Sequence, residues 1–88
     1  MKLKYQFVEN PVADKIVAVA VGDDLAEFNG FIKMNETGHQ IFSLLKNEIS
    51  LEDLIAQMQK LYPEESLETI TDCVNGFLEE LKKAEVLA

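Results

Sequence analysis

The 88-residue chain is poor in the residues that make crosslinks or carry out catalysis: it has one Cys, one His, no Trp and no Arg. A single Cys excludes an internal disulfide and is typical of a reducing compartment. No apolar run approaches the roughly 18 residues of a membrane span, and the start Met-Lys-Leu-Lys lacks the apolar core of a signal peptide. We therefore expect a cytoplasmic protein without a membrane segment.

The absence of arginine also bears on nucleic-acid binding. All eight basic residues are lysines, and the formal net charge is −8. Residues 47–88 carry ten acidic side chains against three lysines, a net of −7, whereas residues 1–46 are close to neutral. Binding to DNA or RNA needs a basic patch, usually with Arg for phosphates and base edges. We therefore expect no nucleic-acid partner.

The catalytic inventory is equally small. His39 and Cys73 are the only histidine and the only thiol, they lie 34 positions apart, and neither belongs to a paired metal-binding motif. A Cys–His pair can form a nucleophile and its base, but packing or surface positions account for both residues. The sequence therefore predicts a protein that is not an enzyme and that holds no metal or cofactor.

The first half of the chain has the pattern of strands. Residues 3–8 alternate apolar with polar side chains, and the segment ending at Pro11 is expected to break this strand. Residues 15–21 are rich in Val and Ala and predict a second strand, whose Ala side would let a helix approach closely. A turn is expected at 22–24 and a loop at 25–29. Residues 30–34 form the third predicted strand.

From Asn35 onward the apolar period becomes helical. Asn35, Ser50 and Ser66 are each placed as a helix N-cap, and Pro63 is expected to end the second helix. The third helix should run to about Ala84. Three strands followed by three helices indicate one α+β domain over residues 1–88, with a three-stranded antiparallel sheet and a winged-helix-like packing. Such a sheet leaves an edge open, which allows a peptide, or a second copy in an edge-paired dimer, to add a strand.

Two features of the helices have alternative interpretations. Ser50-Leu51 at a helix start in an acidic domain is similar to the phosphopantetheine site of acyl or peptidyl carrier proteins, although Ile49 stands where carriers have Asp and a strand-rich first third does not suit an all-helical carrier. The apolar stripe from Ile70 to Leu81 is wide. It either faces the core entirely or its fringe lines a groove beside the open strand.

The chain resembles the PqqD-like family, named for the pyrroloquinoline quinone biosynthesis protein D and known as the peptide-recognition element of ribosomal-peptide modification systems. The most specific part of the resemblance is Phe28-Asn29-Gly30 through Met34-Asn35-Glu36-Thr37-Gly38, followed by Ile41-Phe42 and Leu44-Leu45. It extends over roughly residues 5–87. Cys73 departs from the family pattern, in which an acidic residue generally precedes the Val.

The resemblance implies a winged-helix-like adaptor that binds the leader segment of a precursor peptide as a fourth strand and presents it to a modifying enzyme, often a radical S-adenosylmethionine maturase. The leader would lie against the third strand and beside the third helix. The expected peptide-binding residues are Gly30, Phe31, Ile32, Lys33 and Met34 on the strand and Val74, Phe77, Leu78 and Leu81 on the helix. Sequence leaves open which of the four helix residues face a peptide rather than the core.

Overall fold

A computed structural model of the chain describes residues 1–22 and 30–88. The elements are β1 (Phe7–Val12), β2 (Lys15–Ala20), β3 (Phe31–Met34), α1 (Glu36–Leu44), α2 (Leu51–Leu61) and α3 (Leu67–Lys83). In these residues a three-stranded antiparallel sheet precedes three helices, which confirms the predicted α+β class. The rest of the predicted turn after Gly22, the loop at 25–29 and the first two residues of the family motif lie outside the described residues.

The sheet has the order β1-β2-β3, so β1 and β3 are its two edge strands. Ile16 pairs with Met34 and Val19 pairs with Phe31 across the β2–β3 ladder. Ala18 and Ala20 of β2 are buried, as expected for a face whose small side chains allow helices to approach. The opposite face of the sheet is half-buried at Lys15, Val17 and Val19 and exposed elsewhere, and its surface includes the large side chain of Phe31.

The first strand differs from its predicted bounds. Residues 3–8 were expected to form it and Pro11 to end it, but β1 begins at Phe7 and continues through Pro11 to Val12. Pro11 pairs with Ile16 in an unbroken ladder. An edge strand tolerates proline where the missing N–H would point away from the sheet. Whether Pro11 ends the strand therefore depends on whether β1 lies at an edge of the sheet, and the local sequence does not reveal this.

Each helix begins at the N-cap that the sequence predicts. The side chains of Asn35, Ser50 and Ser66 accept hydrogen bonds from the backbone N–H three residues later, at 2.8, 3.1 and 3.1 Å. These bonds satisfy N–H groups that would otherwise have no partner in the first turn. The residue at which each helix starts is therefore determined by hydrogen bonds within its own first turn.

The core forms where the three helices pack on the inner face of the sheet. Its largest fully buried side chains are Phe42, Ile41, Leu45, Leu54, Met58, Leu81, Val74 and Val86. The ring of Phe7 meets that of Phe42 edge-on at a centroid distance of 5.2 Å, which joins β1 to α1. Within the described residues, no helix combines the length and apolarity that crossing a bilayer requires.

The first and last residues of the chain pair with each other. Leu3 forms an antiparallel bridge with Leu87. Lys4 N donates to Val86 O at 2.7 Å, and Ala88 N donates to Lys2 O at 2.8 Å. Leu3 and Val86 are both buried. Backbone hydrogen bonds therefore hold the two ends of the chain side by side, with Leu3 and Val86 in the core.

Candidate functional site: a groove beside the edge of the third strand

A groove with a volume of about 430 Å³ lies between the end of β3 and α3. It is lined by Lys15, Lys33, Met34, Asn35, Gly38, Ile41, Asp72, Cys73, Gly76, Phe77 and Glu80. Within the described residues β3 pairs only with β2, so its outer backbone edge is open next to this groove. The outer edge of β3 and the groove therefore lie side by side.

Asn35 fixes the angle between the strand and the first helix. Met34 at the end of β3 is buried, and the next residue already caps α1 through the bond from Gly38 N to Asn35 Oδ1. One residue therefore makes the change from extended strand to helix. This short junction holds the end of the β3 edge in a defined position relative to the helices.

Gly38 allows α3 to approach that junction. A Cβ at this position would lie 3.0 Å from Cε1 of Phe77 and 3.3 Å from the Cβ of Met34. Both distances are shorter than ordinary van der Waals contact, so a side chain at Gly38 would displace the Phe77 ring or the strand end. The Phe77 ring, which lines the groove, is thus positioned by the absence of a side chain on α1.

The structure separates the four helix residues that the sequence grouped as a groove surface. Val74, Leu78 and Leu81 are 1%, 5% and 1% exposed and belong to the hydrophobic core. Phe77 is half-buried, and it lines the groove. The open choice between core and groove is therefore resolved residue by residue: three of the four face the core because the apolar stripe of α3 packs on α1 and α2.

The five strand residues also divide. Ile32 and Met34 point to the helix side of the sheet, whereas Phe31 and Lys33 point to the outer face, and Phe31 is 64% exposed. Lys33 and Met34 line the groove. Gly30 is exposed just before β3 begins. β3 therefore borders the groove with its outer backbone edge, and its side chains line the groove mainly at the Met34 end.

The sequence did not identify the remaining groove residues of α3. Asp72, Cys73, Gly76 and Glu80 recur at helical spacing with Phe77, on a face offset from the apolar stripe. Two acidic residues, a cysteine and a glycine are typical of a solvent-exposed helix face. Hydrophobic periodicity therefore did not indicate that these residues line a groove. The available signals were a glycine in the middle of a long helix and an aromatic residue beside it.

The charges around the groove are segregated. Lys15 and Lys33 lie on the strand side, and Asp72 and Glu80 lie on the helix side. None of these four charges forms an ion pair with another described residue. The strand side of the groove therefore carries positive charge, and the helix side carries negative charge.

Glu9, His39 and Ser43 approach one another in a way that superficially resembles a catalytic triad. His39 Nε2 lies 3.4 Å from Glu9 Oε1 and 3.4 Å from Ser43 Oγ. Both contacts use the same ring nitrogen, whereas a triad needs one nitrogen for the acid and the other for the nucleophile. Glu9 also binds Lys46 Nζ at 2.7 Å. The cluster links β1 to α1 and does not have the geometry of a catalytic triad.

Metal and prosthetic-group chemistry finds no support either. The described residues contain no group of three or more His, Cys, Asp or Glu side chains able to hold a metal ion. Ser50 Oγ accepts from Asp53 N at the start of α2, and the chain folds with a sheet ahead of its helices. Carrier proteins of this kind are all-helical, so the sheet argues against the carrier-protein interpretation of Ser50.

A second concave region, of about 550 Å³, is lined by residues 2–7 and Lys46. Three of its seven lining residues are lysines, and it lies at the start of β1. Although larger, it is lined by no residue of β3 or α3. The β3 groove is the better candidate for binding an extended chain.

Comparisons with known proteins agree with this architecture. The solved structure titled "TbiB1 in Complex with the TbiA(beta) Leader Peptide" superimposes with a TM-score of 0.74 at 21% sequence identity, and the match covers 99% of this chain and 94% of that chain. At this identity the likeness establishes a shared fold. A comparison with curated proteins returned no match.

The fold and the groove define a small α+β domain in which, among the described residues, the outer edge of β3 has no pairing strand. The sequence profile of the family described as Coenzyme PQQ synthesis protein D (PqqD) matches residues 13–87. The chain belongs to the PqqD family, as its resemblance to the PqqD-like proteins predicted.

Proposed function

We propose that this protein is a non-enzymatic adaptor that binds the leader segment of a ribosomally made precursor peptide and presents it to a modifying enzyme. The observation that carries the proposal is the open edge of β3 with the α3 groove beside it. An extended peptide would add to β3 as a fourth strand, with alternate side chains entering the groove. Membership of the PqqD family and the leader-peptide complex of the TbiB1 neighbour support the same role.

The short length of β3 limits what the backbone can contribute. In an antiparallel ladder alternate residues direct their N–H and C=O groups outward, so four residues offer roughly four hydrogen bonds to a peptide. At about 1 kcal/mol each, these bonds barely offset an association cost of at least about 4 kcal/mol. Micromolar affinity requires about −8 kcal/mol. Side chains in the groove, above all Phe77, must therefore supply most of the net binding free energy.

The only histidine and the only cysteine of the chain bear on whether this protein could itself modify a peptide. In the described residues His39 is engaged by Glu9 and Ser43, and Cys73 is an exposed thiol on the groove wall. Neither has a partner arrangement suited to modifying a peptide. We propose that the chemistry resides in a separate enzyme, a radical S-adenosylmethionine maturase, to which the bound leader is delivered.

Peptide titration tests the binding proposal directly. Isotope-labelled protein is titrated with synthetic peptides that tile the short coding sequences neighbouring its gene, and backbone amide shifts are followed by NMR. We expect one peptide to bind with shifts concentrated in residues 30–34 and 70–82. If no peptide perturbs either region, the proposed function is wrong.

The enzyme partner requires a separate measurement. The binding peptide is incubated with the product of any neighbouring gene for an iron–sulfur enzyme, with and without this protein, and modification of the peptide is followed by mass spectrometry. We expect the peptide to be modified faster when the adaptor is present. An equal rate of modification without the adaptor would refute the proposal that this protein presents the peptide, but not the proposal that it binds the peptide.

A further inference from the structure

The outer face of the sheet, which is turned away from the helices, carries more apolar side chains than contact with water alone explains. The side chains of the three strands that point to this face are those of Val8, Asn10, Val12, Lys15, Val17, Val19, Phe31 and Lys33. Five of these eight are apolar, and Val8, Val12 and Phe31 are 45%, 54% and 64% exposed. An antiparallel sheet with one solvated face normally directs polar side chains to that face. The outer face departs from this pattern.

The apolar side chains of the outer face adjoin one another. Val8 pairs with Val19, and Val19 pairs with Phe31, so the three side chains form a row across all three strands. Val17 lies next to this row on β2. Side chains directly opposite each other on paired strands have Cβ atoms about 5 Å apart. The row is therefore one continuous apolar patch, whereas single exposed apolar residues are ordinary.

Neither strand propensity nor the core accounts for this patch. Valine and phenylalanine favour strands, but threonine and tyrosine favour them too and carry a hydroxyl group for contact with water. None of the eight outward positions is Thr, Tyr or Ser. The core of the described chain lies on the other side of the sheet, among the helices. An exposed apolar patch that serves neither purpose is typical of a surface that contacts another molecule.

The charges of the outer face indicate the chemistry of that molecule. Lys15 and Lys33 are its only charged side chains, although the net charge of the whole chain is −8. Neither lysine forms an ion pair with a described residue. An apolar patch beside two unpaired lysines is complementary to a protein surface that has apolar side chains flanked by carboxylates.

The same charges argue against two other occupants. A two-fold dimer through the outer face would place the lysines of one copy near those of the other, with no acidic side chain of the three strands between them. Recognition of an anionic membrane usually takes about four to eight basic residues, and the outer face has two. The acidic remainder of the chain would also be repelled by such a membrane.

We propose that the outer face is the docking surface for the modifying enzyme, which contributes an apolar patch flanked by Asp or Glu side chains. This inference rests on the proposed peptide-binding function and adds to it the surface through which the enzyme is bound. Phe31 and Lys33 lie on β3, the strand to which the peptide would add. Alternate side chains of that peptide would continue the outer face beyond β3. An enzyme docked on this face is thereby brought against the peptide.

The decisive variants change Val8 and Val12, which lie on β1 at the far edge of the sheet from β3. Val8→Glu/Val12→Glu removes exposed apolar surface and sets carboxylates against those of the enzyme, so affinity for the enzyme should fall at least about tenfold. Val8→Lys/Val12→Lys removes the same surface but adds charge of the favourable sign, so the loss should be about threefold or less. Both variants should bind the peptide within about twofold of the wild type, because the changes are distant from β3 and α3.

Leu51→Glu/Leu67→Glu is the matched control. Leu51 and Leu67 are 43% and 62% exposed, close to the values for Val8 and Val12, but they lie on α2 and α3. Each is the first residue of its helix, where a carboxylate is favourable. This variant has the same added charge, and its affinity for the enzyme should stay within about twofold of the wild type, since salt screens charges distant from the contact. The control separates an effect of the outer face from an effect of net charge.

The probe is the purified peptide-modifying enzyme encoded beside this protein, added to protein that is saturated with its synthetic leader peptide, and affinity is measured by calorimetry. Valine methyl groups are isotope-labelled, so that NMR cross-saturation from the enzyme maps the contact, with the buried Val74 and Val86 as internal references. We expect saturation at Val8, Val12, Val17 and Val19. Saturation confined to other valines, equal affinity of the enzyme for Val8→Glu/Val12→Glu and the wild type, or no binding of the enzyme to the peptide-loaded wild type would overturn the docking surface while leaving peptide binding intact.

Two further outcomes would assign the outer face to a different occupant. Dimerisation of the wild type that Val8→Glu/Val12→Glu abolishes, followed by sedimentation, would assign it to a second copy. Binding to phosphatidylglycerol vesicles that the same variant abolishes would assign it to a membrane. Either result overturns docking of the enzyme on this face. Failure of the wild type to bind any leader peptide would instead count against the proposed function itself.

Discussion

The two edge strands of the sheet, β1 and β3, expose very different backbones. β1 is six residues long and contains Pro11, which has no N–H to offer. Since Pro11 lies in an unbroken ladder with β2, its nitrogen faces outward, and the outer edge of β1 is interrupted there. β3 is only four residues long but contains no proline and adjoins the groove.

The comparison shows that an open edge by itself does not make a binding site. Soluble proteins protect exposed edges from unwanted pairing, and proline is one of the means. The longer edge of this sheet is protected in that way, whereas the shorter edge, unpaired among the described residues, lies next to a groove. In this proposal specificity arises from α3 and the strand supplies direction and register.

The largest effect is expected from proline in β3. Adjacent residues of an antiparallel strand direct their N–H groups alternately toward and away from the neighbouring strand, so one of the two variants Ile32→Pro and Lys33→Pro removes an outward N–H and leaves the β2 ladder intact. That variant should keep its melting temperature and lose about 100-fold in peptide affinity, through a lost bond and a steric clash. The other should lose stability. Calorimetry and thermal melts measure both, and two folded variants that bind like the wild type would refute pairing at β3.

A smaller effect is expected at the junction between β3 and α1. Asn35→Ala and Ser50→Ala each remove one N-cap bond and should each destabilise the protein by about 1 kcal/mol. Only Asn35 lines the groove and follows the strand directly. Asn35→Ala should therefore also weaken peptide binding by about fivefold, or roughly 1 kcal/mol, whereas Ser50→Ala should not. Equal affinities for the two variants would show that the junction does not position the edge.

The smallest effect is expected at the protected edge. Pro11→Ala restores an N–H group to the outer side of β1 and should favour edge-to-edge pairing between two copies of the chain. Sedimentation velocity should detect more dimer than in the wild type, while peptide affinity stays the same because β1 lies at the other side of the sheet from β3. Peptide binding that changed together with self-association would mean that the two edges are not independent.

Much of the fold was predictable because its signals are local. The caps at Asn35, Ser50 and Ser66 and the alternation in β2 each depend on a few neighbouring residues. The extent of β1 was not predictable in the same way, because tolerance of Pro11 depends on its strand lying at an edge.

The groove was predictable only in outline. Hydrophobic periodicity identifies the face of α3 that packs in the core, so it located Val74 and Leu78 on one stripe but gave no means to separate that stripe from the residues that line the groove. The face of α3 that lines the groove consists of Gly76, Cys73, two acidic side chains and one aromatic ring. Only the packing of α3 against Gly38 shows that these residues surround a concave surface.

The bridge between Leu3 and Leu87 has a consequence for how this protein can be joined to others. The two residues are nearly as far apart in sequence as the chain allows, yet they are neighbours in one backbone ladder. A short linker could join the ends, and a circular permutant opened at the turn around Asn47 would break the chain outside the residues that line the groove. For the same reason, a domain fused at either end would be tethered at one common point, so its effective concentration near the groove would depend on linker length rather than on the choice of terminus.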